Sequence, residues 1–243
     1  MSRTENKHFR DLQKSYQSVG DKTWEKDDFN FNNLEISKSL FIKNSLKSGS
    51  PIPKKLKVIA LLSGLPFSRE LQEVIISLQD SISQIIDNKI HYWVKPLNFG
   101  IEYCVFKWPG GDWDRSWMKI LNDQLNFFEF KSYSLQIQGV QINEDGCVIL
   151  KGYDEQSSLF NIREYMKNNI YFFPKRQSRW AHIPIGRILE PLGEKNFINL
   201  KKFVQSNSKT LFHIEKIRNV KLVNEERWYM EERKILKKVP LFD

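Results

Sequence analysis

Ala181-His182-Ile183-Pro184-Ile185-Gly186-Arg187-Ile188-Leu189 sets one imidazole in an otherwise apolar run of strand length. An imidazole titrates near neutral pH, so His182 on an inward strand face can take or give a proton in catalysis. Residues i and i+2 of a strand share a face, which sets Pro184 beside His182. Proline offers neither a side-chain donor nor a backbone N–H there. The run leading in, Phe172-Phe173-Pro174-Lys175-Arg176-Gln177-Ser178-Arg179-Trp180, interleaves cations with aromatics. Arg176 and Arg179 can grip phosphate oxygens, Lys175 adds charge, and Trp180 can stack a base. Strand alternation turns Arg187 away from His182, toward an ion pair with Glu190 or Glu194. His213 alternates with Leu211 and Glu215 as a satisfied strand residue, and His8 in the polar N-terminus reads as inert.

The stretch from Ala181 resembles the second signature motif of the 2H phosphoesterase superfamily, which includes RNA 2′,3′-cyclic phosphodiesterases and 2′-5′ RNA ligase-like proteins. That motif is His, a hydrophobic residue, Thr or Ser, and another hydrophobic residue, often followed by Gly-Arg. It is expected twice, because one histidine serves as base and the other as acid. A first copy falls in Trp93-Val94-Lys95-Pro96-Leu97-Asn98-Phe99-Gly100-Ile101-Glu102, where Val94, Lys95, Pro96, Asn98 and Phe99 follow the pattern of bacterial relatives. Gly100 then stands at the histidine position and Glu102 at the hydroxyl position.

The resemblance implies an α+β, two-lobed fold over roughly residues 56–239, with two antiparallel sheets flanking a central cleft and helices outside. It implies a metal-independent site with no cofactor. The first expectation is a degenerate member that recognises a phosphodiester, at an RNA end or in a small cyclic or 2′-5′ nucleotide, with hydrolysis weakened or lost. An active cyclic phosphodiesterase using His182 and Glu102 is one alternative, with Gly100 leaving room for the carboxylate and His91 as another substitute for the lost histidine. A non-catalytic nucleotide-binding or protein-interaction module is the other.

The elements that would carry these residues are readable. Val58–Leu62 is a strand-length apolar run, and Ser68 can cap a helix carrying Leu71, Val74, Ile75, Leu78, Ile82 and Ile85. Phe99–Phe106 is a strand, and Asp112 can cap a helix presenting Trp113, Trp117, Leu121 and Leu125. Tyr133–Gln138 and Cys147–Leu150 pair around the Asn143–Gly146 turn. Helices are expected after Ser157 or Ser158 and over 195–206, and strands near 210–217, 219–224 and 227–236. Residues 1–55 are polar and poorly periodic, ending in Ser48-Gly49-Ser50-Pro51, and read as a partly ordered extension before a domain of residues 56–243.

Composition limits the classes. The 243 residues are 40% hydrophobic and 28% charged, with no run of eighteen apolar residues, so a membrane helix is not expected. The charged start lacks a secretory apolar core, and Cys104 and Cys147 have neither metal nor disulfide spacing, which fits a cytoplasmic protein. The net charge of +9, from 38 basic and 29 acidic residues, favours phosphate-bearing partners.

Overall fold

The computed structural model describes residues 7–243, with side chains from Phe9 onward; the side chain of His8 lies outside the described residues. Three helices come first: α1 (Lys7–Thr23), α2 (Phe31–Lys38) and α3 (Lys43–Lys47). The rest follows as β1 (Lys55–Gly64), α4 (Arg69–Ile86), β2 (His91–Trp93), β3 (Gly100–Lys107), α5 (Trp117–Asn126), β4 (Tyr133–Ile142), β5 (Cys147–Tyr153), α6 (Ser158–Asn169), β6 (His182–Ile188), α7 (Glu194–Ser206), β7 (Leu211–Ile217), β8 (Asn219–Arg227) and β9 (Glu232–Pro240). The strands form a four-stranded sheet ordered β3-β1-β8-β9 and a five-stranded sheet ordered β2-β6-β5-β4-β7, and every pairing is antiparallel.

Each sheet buries one face against helices. In α4 the residues Leu71, Ile75, Leu78, Ile82 and Ile86 fall on one stripe and are buried. The Ser68 hydroxyl accepts the Leu71 N–H at the start of that helix. Ile59 and Leu61 of the first sheet, and Val148, Leu150, Ile183 and Ile185 of the second, join the same core. Burying each such side chain is worth about 1.5–3 kcal/mol, so this layer holds the two sheets in place.

The opposite faces carry the residues of interest. On the first sheet, Val58, Ala60, Leu62, Leu65, Val105 and Val223 form a separate small cluster. On the second, Cys147, Ile149 and Tyr153 pack against Leu12 and Tyr16 of α1. Phe29, Leu34 and Phe41, around α2, are buried in the main core. Among the described residues no helix is long and apolar enough to cross a membrane. Both cysteines are free and buried.

Two local expectations are corrected. Asp112 does not cap α5; the helix begins after Ser116, whose N–H and hydroxyl both bond the Asp114 carboxylate. Residues 227–236 are not one strand. A 3-10 turn at Trp228–Met230 joins β8 to β9, with Tyr229 and Met230 at positive φ.

Candidate functional site

Cross-strand partners share a face, so the ladders decide what stands beside what. In the first sheet Leu62 lies opposite both Glu102 and Lys221, and Val58 lies opposite Glu225. Glu102, Lys221 and Glu225 therefore stand on the face away from the main core. In the second sheet His182 opposes Lys151, Pro184 opposes Ile149 and Arg187 opposes Cys147. A register shift between Val148 and Ile149 breaks the alternation. It turns Arg187 onto the His182 face, contrary to the simple parity reading. Gly186 is required at the shift, because a Cβ there would lie 2.0 Å from the Trp93 ring.

Arg187 does form an ion pair, with a different carboxylate from those expected. Its guanidinium contacts Asp145 at 2.6 Å, the Ser37 hydroxyl and the Tyr229 hydroxyl. Glu190 instead accepts the Ile90 N–H. His91 faces the α4 side: its neighbour Trp93 donates to Ser83 of α4, and its own Nδ1 lies 2.7 Å from the Lys89 carbonyl. His91 is not brought to the site. His213 is half-buried against Ser68 and Glu215, as a satisfied strand histidine.

Two bridges join the two sheets. One is Arg163 of α6. Its Nε donates to the Tyr103 carbonyl at 2.5 Å, and its Nη2 to the carbonyls of Glu102 and Trp180 at 3.1 and 3.2 Å. A single guanidinium thus ties β3 to the entry of β6. Sequence reading missed this residue. The available signal was a cation on the buried stripe of α6, among Leu159, Ile162 and Met166. The other bridge is the Trp228–Met230 turn, whose Tyr229 reaches Arg187 while the Met230 N–H donates to Glu225 at 3.0 Å.

The electrostatics follow from these neighbours. Burial, then the charges of Arg163 and Arg187, push the His182 imidazole down to about 4, so it is neutral at pH 7. Its Nδ1 is buried without a hydrogen-bond partner. Burial raises Glu102 to about 7 against the opposing pull of Arg163 and Arg176. The Glu102 carboxylate has no hydrogen bond or ion pair among the described residues. Burial also raises Glu225 to about 7, and the Glu102 charge adds to that shift.

The remaining basic and aromatic candidates are placed differently. Arg176 is exposed and lies over the Trp108 ring, 4.5 Å from its centroid. Lys175 and Arg179 are exposed. Trp180 is half-buried against α1: its Nε1 donates to the Ser15 hydroxyl at 2.8 Å, and its ring lies 4.9 Å from Tyr16. The same indole stands edge-on to His182 at 5.8 Å. Tyr16 also donates to the Ala181 carbonyl at 2.6 Å, so α1 covers the approach to His182. Nor does Gly100 leave open room. A Cβ there would meet the Ser63 carbonyl at 3.3 Å and the Leu65 side chain at 3.5 Å. Four surface hollows of the described residues are lined by neither Glu102 nor His182. No metal-binding group of three or more His, Cys, Asp or Glu converges among the described residues.

Two antiparallel sheets with helices outside form a two-lobed fold of the kind seen in LigT. Solved structures share it. Escherichia coli LigT complexed with phosphate matches with a TM-score of 0.53 and 12% identity, over 78% of this chain and 100% of that one. A Thermus thermophilus protein matches at 0.56 and 12%, over 76% and 97%. An Agrobacterium tumefaciens protein of unknown function matches at 0.59 and 12%, over 80% and 88%. No family model matches the chain, and no curated protein matches it significantly.

Proposed function

We propose that this protein is a degenerate 2H phosphoesterase-like protein that recognises a phosphodiester between its two sheets, in a domain of residues 56–243 preceded by the extension 1–55. The observation that carries this reading is the partnerless Nδ1 of His182, held near two guanidinium groups on an inner sheet face. A neutral imidazole with an unused ring nitrogen can exchange a proton with a phosphate oxygen brought beside it. The solved LigT complexes hold phosphate, ATP, 3′-AMP and NADP+, which supports a nucleotide or an RNA end as the ligand class. Lys175, Arg176 and Arg179 stand at the entry to β6, where their charge attracts such a ligand. Trp180 serves as a wall of the site.

Residual hydrolysis is a second reading, favoured by the opposed titration of Glu102 and His182. A neutral His182 accepts the proton of the attacking water as its oxygen bonds to phosphorus. The bond from phosphorus to one ribose oxygen breaks, and a protonated Glu102 gives its proton to that oxygen. The product is a phosphate monoester. Environments that push two titrating groups apart assign the acid and the base.

Equilibrium binding of 2′,3′-cyclic AMP to wild type and His182→Ala tests the primary reading. Wild type is expected to bind and the variant to lose about tenfold or more in affinity. Equal affinities would refute it. Release of 2′- or 3′-AMP by wild type, absent in Glu102→Gln, would establish the second reading.

A further inference from the structure

We propose that the hollow between α1, the exposed face of β4 and β5, and the end of α7 binds a small phosphorylated molecule. It encloses about 440 Å³, the size of a small-ligand site. Gln13 and Gln17 line it from α1, Gln138 from β4 and Gln205 from α7. Two cations converge there, Lys151 and Lys209.

Lys151 is the central residue. It is half-buried, and its ammonium donates to the Ser208 carbonyl at 2.6 Å with no carboxylate in ion-pair range among the described residues. Burial and the charge of Lys209 hold that ammonium below the ordinary lysine value; Asp21, the one carboxylate lining the hollow, acts against this. A built gap allows the placement. Gly139 has a φ of +86°, and a Cβ there would stand 2.1 Å from the Ser208 carbonyl and 2.6 Å from Lys151 Cε. The glycine lets the Ser208 carbonyl and the lysine stem that bonds it lie together against β4.

Two like charges gathered beside one unpaired carboxylate leave a net positive hollow. A phosphate monoester dianion offers the acceptor oxygens and the charge that both ammonium groups lack. The glutamine carboxamides present donors and acceptors to a polar body, and the Tyr16 and Tyr153 rings add an aromatic wall. The hollow lies one strand from the phosphodiester site, since Lys151 opposes His182 across the β5–β6 ladder. The inference does not depend on that site being active.

Calorimetric titration of the full chain with 5′-AMP, beside adenosine, tests it. The expected result is saturable binding of 5′-AMP, weaker binding of adenosine, and about tenfold loss in both Lys151→Met and Lys209→Ala. No binding up to about 10 mM, far above the range of a specific site, overturns the inference. So does equal affinity for adenosine, or wild-type affinity in the lysine variants, which would put the nucleotide elsewhere. Lys209 is exposed, so its variant decides the matter if Lys151→Met fails to fold.

Discussion

A Leu65→Gly/Gly100→His variant is expected to hydrolyse 2′,3′-cyclic AMP about 100-fold faster than Leu65→Gly alone, the usual worth of a positioned acid–base group. Gly100 stands at the start of β3, opposite Gly64 and two residues before Glu102 on the same strand. Its φ lies outside the left-handed region, so a side chain meets no backbone penalty there. A Cβ there meets the Ser63 carbonyl at 3.3 Å, which must shift slightly, and at 3.5 Å the Leu65 side chain, which is buried in the small inner-face cluster. Leu65 itself sits at a φ of 55°, which glycine adopts more easily. Removing that side chain costs apolar burial and returns part of it as relief of the backbone. The second histidine would then stand on the inner face of the first sheet, on the same side of β3 as Glu102. Chromatographic measurement of the monoester product gives the rate. No gain in the double variant would mean that the two inner faces do not share one substrate.

Glu102→Gln is expected to stabilise the protein at alkaline pH and to leave it unchanged in acid. Burial raises Glu102 from 4.5 to about 7 in the folded chain. Its contribution is therefore fully present below pH 4.5 and is lost as pH rises through about 7. The shift corresponds to about 3 kcal/mol at most, and partial exposure reduces it to roughly 2 kcal/mol. Glu225 shows the same direction, whereas His182, lowered to about 4, adds stability as pH climbs from about 4 to 6.5. Comparing variant with wild type separates Glu102 from His182, while the part of the Glu225 shift that the Glu102 charge causes is removed with it. Urea unfolding should give coincident midpoints near pH 4 and a higher midpoint for the variant by about pH 8. Equal midpoints at both pH values would show Glu102 to be solvated in the native state.

The strands and the His182 position were legible because alternation and apolar runs are local properties. Leu71 to Ile82 announced α4, and the Asn143–Gly146 turn announced the β4–β5 pair. What stayed hidden was non-local. One register shift on β6 brings Arg187 to the His182 face, and no alternation rule anticipates where a strand slips. Arg163 works through three backbone carbonyls on two other segments, a role invisible in the spacing of α6. Trp180 looked free to stack a base because its partners, Ser15 and Tyr16, lie 165 and 164 residues earlier. α1 commits few apolar residues to the fold, but Phe9, Leu12 and Tyr16 fall on one helical stripe, a periodicity that the polar composition of the segment masked.

The most direct measurement is the titration of the His182 ring by NMR, alone and with saturating 2′,3′-cyclic AMP, with His182→Ala to assign the signal. A midpoint near 4 is expected without ligand. A clear upward move is expected with ligand, because a phosphate anion beside the ring favours its protonated form. A midpoint that stays put when ligand is added, or one already near the ordinary histidine value, would contradict phosphodiester recognition at this imidazole.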